Sequence, residues 1–266
     1  MTLIRFLLAG TAALALSACG GAGSDADGQR LSVAATAVPH AEILKVVKPI
    51  LAEQGVQLDV RVFNDYVQPN DQVAQKLIDV NYFQTEPYLD AYNRDRKTSL
   101  VTVTGVHIEP FGAYSRRFAS LEALPDGADV VIPNDPSNNS RALILLHTAG
   151  VIQLADPTNA LSTLRDITAN PKQLKFRELD AAMLPRVLEQ VDLALINTNY
   201  ALDAGLNPVK DALAIESSDS PYVNFLVSRA DNKDDPRVQK LAAALTGPQV
   251  KAFIEQQYAG AVLPAF

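Results

Sequence analysis

The stretch Asp129-Val-Val-Ile-Pro-Asn-Asp-Pro-Ser-Asn-Asn-Ser-Arg141-Ala-Leu-Ile-Leu-Leu146 holds the architecture of this chain in miniature. Residues 129–132 are an apolar run that predicts a strand. Residues 134–140 are polar and rich in turn formers, which predicts a loop. Residues 141–147 are strongly apolar and predict a helix stopped by Gly150. Strand, loop and helix in so short a span form the repeating unit of α/β proteins.

The same alternation extends in both directions. Toward the N-terminus, residues 31–35 predict a strand and residues 39–54 a helix. Its apolar positions Ile43, Val46, Val47, Ile50 and Leu51 recur at helical spacing, and Gly55 marks its end. Residues 58–63 alternate as a strand. Residues 71–77 and 82–92 predict helical segments, and residues 100–104 and 107–115 extended ones. Ser120 is a candidate cap for a short helix. Toward the C-terminus, helices are predicted over 159–167 and 181–190, and strands over 174–176, 193–196 and 222–228. A helical tail over 235–258 is broken at Gly247-Pro248. Two such blocks predict an α/β fold with mostly parallel sheets in two lobes, with a small-ligand cleft between them.

The N-terminus decides location. A thin positive flank at Arg5 and a short apolar run lead into Leu16-Ser17-Ala18-Cys19, which contains the only cysteine of the chain. This is the layout of a secretory signal peptide. The run falls short of the ~20 residues a spanning helix needs. Cys19 stands where a bacterial lipobox places the acylated, palmitate-bearing first residue of the mature protein. The predicted division is a signal peptide over 1–18 and a lipidated, Gly/Ser/Asp-rich flexible linker over 19–30. Such a chain is expected in the cell envelope, lipid-anchored and facing the periplasm. With 23 Lys+Arg against 30 Asp+Glu the net charge is −7, which argues against nucleic acid as a partner.

Signals for catalysis are weak. His40, His107 and His147 share no metal-ligand spacing, so no metal is expected. The chain has no Gly-x-Ser-x-Gly and no phosphate-cradling Gly loop, and its carboxylates are scattered.

Three clusters carry more information. In the first, Asn138 is the candidate N-cap, which puts Arg141 in the first helical turn. A cation there opposes the helix dipole, so it calls for a partner: a bound carboxylate, or a neighbouring acid such as Asp135. Local features leave both open. In the second, Asn197-Thr-Asn199 follows the strand over 193–196, at the end where α/β sheets place ligands. Asn224 lies inside the strand over 222–228, either as a buried core amide or as a ligand contact. The third is aromatic: Phe63-Asn-Asp-Tyr66-Val-Gln-Pro-Asn70 and Asn81-Tyr-Phe83-Gln-Thr-Glu-Pro-Tyr88-Leu-Asp90. These rings line a pocket or belong to an ordinary core.

The stretches Phe63-Asn-Asp-Tyr-Val-Gln-Pro-Asn70, Asp79-Val-Asn-Tyr-Phe-Gln84 with Pro87-Tyr-Leu-Asp90, Val38-Pro-His-Ala-Glu-Ile-Leu44, Pro133-Asn-Asp-Pro-Ser-Asn138 with Arg141, Ile196-Asn-Thr-Asn-Tyr-Ala201 and Ser220-Pro-Tyr-Val-Asn224 resemble the NlpA/MetQ family of substrate-binding lipoproteins. The resemblance runs through nearly the whole chain after the linker, in family order. It implies a two-lobed periplasmic-binding fold, type II-like, with residues 31–113 plus 223–266 in one lobe and 114–222 in the other. It implies no catalysis and no cofactor. Its implied partners are methionine or a similar amino acid, and an ABC permease with its ATPase, served by a monomer. Residue by residue, it implies that Arg141 and Asn138 hold the ligand carboxylate. Asn197, Asn199 and Asn224 hold the polar groups, and Tyr66, Phe83 and Tyr88 wall the side-chain pocket. Two positions depart from the pattern. Thr85 stands where the family usually has His, which leaves open another amphipathic amino acid or a small methionyl peptide. Lys76 stands where it often has Gly, in a turn. An envelope lipoprotein that kept the fold and lost its ligand is the rival from another class.

Overall fold

The strands β1 (Arg30–Ala35) and β2 (Gln57–Val62) pair in parallel, joined by α1 (Glu42–Glu53). A kinked turn, Ala37–Ala41, precedes α1 and carries His40. The helix forms where the apolar spacing predicts it: Ile43, Leu44, Val47 and Leu51 are buried along one face. Gly55 beyond its end has φ +77°, a conformation open to glycine at little cost. The computed structural model describes residues 29–266; the expected signal peptide, Cys19 and most of the linker lie outside the described residues.

The chain continues through α2 (Gln68–Ala74), β3 (Val80–Thr85), α3 (Glu86–Arg96) and β4 (Leu100–Ile108). It then crosses into a second sheet with β5 (Gly112–Tyr114), β6 (Asp129–Pro133), α4 (Pro136–Thr148), a small hairpin of β7 (Gln153–Leu154) and β8 (Ile167–Ala169), β9 (Lys175–Leu179), β10 (Leu193–Ile196), α5 (Thr198–Asp203) and β11 (Ala214–Ile215). It returns with β12 (Val223–Arg229), α6 (Pro236–Leu245), α7 (Pro248–Tyr258) and β13 (Leu263–Pro264). The sheets are ordered β13-β4-β12-β3-β1-β2 and β11-β5-β10-β6-β9.

Both sheets are mixed, not mostly parallel. β12 enters the first sheet antiparallel between β3 and β4, and β5 enters the second antiparallel to β10. These are the strands through which the chain changes sheets. The two crossings run side by side: the Glu216 N–H donates to the Phe111 carbonyl at 2.8 Å.

Local expectations fail where buried strands resemble helices. Residues 82–92 are not one helix. Val80 to Thr85 is a strand with every residue buried, and the helix starts only at Glu86-Pro87, where proline suits the first turn. A strand covered on both faces loses its alternation, which removed the signal. Residues 159–167 form turns and one short 3-10 segment, Leu164–Asp166, before β8. The predicted helix over 181–190 shrinks to Ala181–Met183 and Leu184–Val187. Ser120 accepts from the Ala123 N–H in a turn, with no helix behind it. The predicted loop over 134–140 is mostly helix, because α4 starts at Pro136. Lys76 has φ +63°, so it occupies the kind of turn where glycine is at ease.

Each sheet has its own core. α1, α6 and α7 cover the first sheet, with Val47, Leu51, Leu241, Leu245 and Ile254 against Leu31 and Val33. In the second, Leu143 and Leu146 of α4 pack on Val130, Ile132, Leu193 and Leu195. Each such buried side chain contributes about 1.5–3 kcal/mol relative to exposure. These cores hold in place the strand ends and helix starts that line the cleft.

Candidate ligand-binding site

The C-terminal end of β6 delivers the chain to α4. The N-cap of α4 is Asp135, not Asn138: its carboxylate accepts the Asn138 N–H at 2.9 Å, and Asn138 Nδ2 donates to the same carboxylate, 3.0 Å from each oxygen. Burial raises the Asp135 carboxyl above its ordinary range, and the Asn138 donors oppose that rise. With the cap three residues earlier than predicted, Arg141 sits in the second helical turn, and the helix-dipole argument for a bound anion no longer applies.

Arg141 is paired with an acid, but that acid is Glu216 and not Asp135. Its Nε donates to Glu216 Oε1 at 3.1 Å and its Nη2 to Glu216 Oε2 at 2.5 Å. Nη2 also donates to the Glu109 carbonyl at 2.8 Å. The guanidinium lies 4.2 Å from the Tyr222 ring centroid and 5.3 Å from that of Phe111. Burial pulls its pKa down, and the Glu216 charge and hydrogen bonds more than offset this, lifting it above the usual arginine value.

The end of β10 delivers the amides. Asn197, the N-cap residue of α5, donates from Nδ2 to Asn138 Oδ1 at 2.8 Å, while its own Oδ1 is buried without a partner. Asn199 Oδ1 accepts from the Tyr66 hydroxyl at 2.6 Å, a bond that joins the loop after β2 to α5 across the cleft. Asn224 Oδ1 lies 3.1 Å from His40 Nε2. Thr85, at the end of β3, is its cross-strand neighbour.

Tyr66, Phe83 and Tyr88 form an aromatic box with ring centroids 5.6–5.9 Å apart. Tyr88 donates to the Tyr66 carbonyl at 3.0 Å. Burial drives both phenols well above their ordinary pKa, so they stay neutral donors.

All nine predicted positions line one cavity: Tyr66, Phe83, Thr85, Tyr88, Asn138, Arg141, Asn197, Asn199 and Asn224. Its walls surround about 350 Å³ of space, part of it open to solvent. Three lining residues escaped the sequence reading: Gln84, Glu109 and Thr198. Gln84 sits in a closed amide network with Asn70 and Asn81. Thr198 donates to the Pro110 carbonyl. Glu109 was within reach of sequence reasoning, because His107-Ile-Glu109 in an extended segment puts His107 and Glu109 on one face.

The fold also gathers two distant histidines that sequence spacing kept apart. His107 Nε2 lies 2.8 Å and His40 Nε2 3.3 Å from Glu109 Oε1. The three side chains offer ligand atoms within 4.8 Å of one another, close enough to hold a metal ion. Burial lowers the His40 pKa to about 4 and that of His107 to about 3, so both are neutral. Burial raises Glu109, with His40 and Arg141 opposing.

Two sheets, a double crossing and a polar cleft with an aromatic end define a two-lobed α/β binding protein of the periplasmic type. Residues 31–266 match the family model described as NlpA lipoprotein, and the chain belongs to that family. It is 40% identical over 255 residues to the methionine-binding lipoprotein MetQ of Bacillus subtilis, covering 94% of this chain and 93% of that one. The D-methionine-binding lipoprotein MetQ of Salmonella typhi is 41% identical, with 89% and 88% covered. A nutrient-binding protein from Burkholderia cenocepacia, solved bound to methionine, superposes with a TM-score of 0.86 at 47% identity, covering 89% of this chain and all of that one.

Proposed function

We propose that this chain is the substrate-binding component of an ABC importer and captures methionine or a closely similar amino acid for its permease. The observation that carries this reading is the polarity of the cavity. Arg141 and four asparagines line it together with the Tyr66–Phe83–Tyr88 box, and the two sets meet at the Tyr66–Asn199 hydrogen bond. Such a cavity suits a zwitterion with an unbranched apolar side chain, and a polarizable thioether is well matched to aromatic walls. The relatives named for methionine binding support the choice of ligand. In this reading residues 31–113 plus 223–266 and residues 114–222 act as the two lobes, and their closure over the ligand signals the permease. Cys19 carries the lipid anchor, the linker ahead of β1 gives reach, and the protein faces the periplasm as a monomer without catalysis. Thr85 favours a second arm of the same reading: a smaller wall residue leaves room for a bulkier amphipathic amino acid or a methionyl peptide.

Native mass spectrometry of the purified protein, followed by calorimetry after ligand removal, tests the proposal. A retained mass of one methionine and rebinding of L-methionine are expected. A protein that binds no amino acid and no methionyl dipeptide is instead the envelope lipoprotein without a transport role.

A further inference from the structure

The charges around the cavity do not balance. Arg141 is the one Lys or Arg side chain among the described residues lining it, and Glu216 already meets that charge through two hydrogen bonds. Glu109 is a second carboxylate, 5% exposed and part of the cavity wall. Its side chain accepts from two neutral donors, His107 Nε2 at 2.8 Å and the Asn199 backbone N–H, and His40 Nε2 lies 3.3 Å away. Arg141 reaches only its backbone carbonyl.

His40 Nδ1 lies 2.7 Å from Thr36 Oγ1, and His107 Nδ1 lies 2.5 Å from the Tyr82 hydroxyl. With a hydroxyl hydrogen on each Nδ1, the imidazole hydrogen is on Nε2. That of His107 goes to the Glu109 carboxylate, and that of His40 goes to Asn224 Oδ1 at 3.1 Å, with Glu109 Oε1 3.3 Å away. Neither neutral ring offers Glu109 a full positive charge, and in this tautomer neither Nε2 presents a lone pair to a metal ion. A cation outside the triad, on the cavity side of Glu109, needs no rearrangement. A buried carboxylate without a counter-charge is costly, and a ligand ammonium supplies that charge.

We propose that Glu109 recognises the ammonium group of the ligand and that His107, with His40 packed edge-on beside it, holds its carboxylate in place for this task. The proposal rests on the amino-acid reading above and deepens it. The α-amino group becomes the main electrostatic handle, because the cation facing the ligand carboxylate is already paired. Asn197 Oδ1, the buried acceptor with no partner, is available as a second acceptor on the same wall.

The test is calorimetry with L-methionine and with 4-(methylsulfanyl)butanoate, the same molecule without its amino group, on the wild type and on Glu109→Gln. The Gln side-chain oxygen can still accept from His107, and a cooperative melting curve checks the fold. The wild type is expected to prefer methionine by at least about 30-fold, the lower end of what losing one partner of a buried charged pair costs. In Glu109→Gln the preference is expected to fall to about threefold or less, through loss of methionine affinity. A variant that keeps the wild-type ratio overturns the assignment. So does a wild type that binds both molecules equally, a result that needs no variant. A wild type that binds neither overturns the amino-acid reading itself, and the assignment of Glu109 with it.

Discussion

Arg141 and Glu216 are joined by two parallel hydrogen bonds, from Nε to Oε1 and from Nη2 to Oε2, between a helix of the second sheet and the strap that returns the chain to the first. Read from sequence alone, Arg141 belongs to the first turn of a helix, where it adds little to stability. In the structure it is a buried partner, and its loss has two effects. Arg141→Ala is expected to weaken ligand binding by about 2–5 kcal/mol. It is also expected to destabilise the fold by about 3 kcal/mol, because Glu216 is left without its counter-charge. Arg141→Ala with Glu216→Ala is expected to recover part of that stability and none of the affinity. Denaturant titration and calorimetry on the three variants measure both effects; additive stability losses would remove the pair from this account.

Thr85 lines the cavity at the end of β3, beside Asn224, and makes no helix-capping hydrogen bond. Exchanging it for the imidazole that the family resemblance leads one to expect here therefore breaks no helix cap. Thr85→His is expected to sharpen discrimination for methionine over larger amino acids and methionyl dipeptides by roughly 1–3 kcal/mol. A thermal-shift panel on both proteins reads this. The same ranking with the same spread in both would show that position 85 does not select the ligand.

The Tyr66–Asn199 hydrogen bond closes the cleft at the aromatic end, at 2.6 Å. Tyr66→Phe keeps the ring and removes the hydroxyl. A weakening of ligand binding by about 1 kcal/mol is expected, with Asn199 left one donor short. The chain has no Trp, so tyrosine fluorescence can follow the titration. Unchanged affinity would mean that this bond does not contribute to the bound state.

His40 and His107 make stability depend on pH. Both are neutral when folded, with pKa values of about 4 and about 3 against 6.5 for an unperturbed imidazole. Below pH 6.5 the unfolded chain binds protons that the folded chain refuses. Their stabilising effect is thus full above pH 6.5 and is lost as pH falls toward 4. Each histidine costs about 1.4 kcal/mol per pH unit within that window. Glu109, whose carboxyl is raised by burial, takes up a proton more readily in the folded state and offsets part of the loss. Denaturation midpoints between pH 7 and pH 5 should fall, and His107→Gln should flatten the slope. A profile indifferent to the substitution would contradict a buried neutral His107.

Cys19→Ala is expected to abolish lipidation and leave an unprocessed or released protein. Fractionation and intact mass decide it. A variant that stays with membranes at the wild-type mature mass would contradict the lipobox reading.

The sequence disclosed the site better than it disclosed the elements that carry it. Polar residues at strand ends and helix starts, such as Asn197 after Leu193–Ile196, announce themselves because they interrupt apolar runs. The central strand Val80–Thr85 did not, since burial on both faces erases the period of two. The α4 boundary was missed because Asp135 and Asn138 are both good caps, and only the fold shows which one accepts the hydrogen bond. Glu216 gave no local signal at all: its partner lies 75 residues away and is reached only through the second crossing. His40 and His107 likewise meet because β1 and β4 flank the same pair of strands, a matter of topology that neither residue's neighbours encode.

The paired crossings have a consequence for the order of capture. Arg141 is stacked on Phe111 and Tyr222 and bonded to Glu109 and Glu216, so the charged end of the cavity sits on the pivot itself. A pivot moves least when the lobes part. In the proposed closing motion the head-group side of the site is therefore expected to change least, while the Tyr66–Asn199 bond, which ties the loop after β2 to α5, is expected to break as the lobes part. On that reading an incoming molecule meets the Arg141 side first and the aromatic wall as the lobes close, so that selectivity for the side chain shows in the rate of release and selectivity for the head group in the rate of capture.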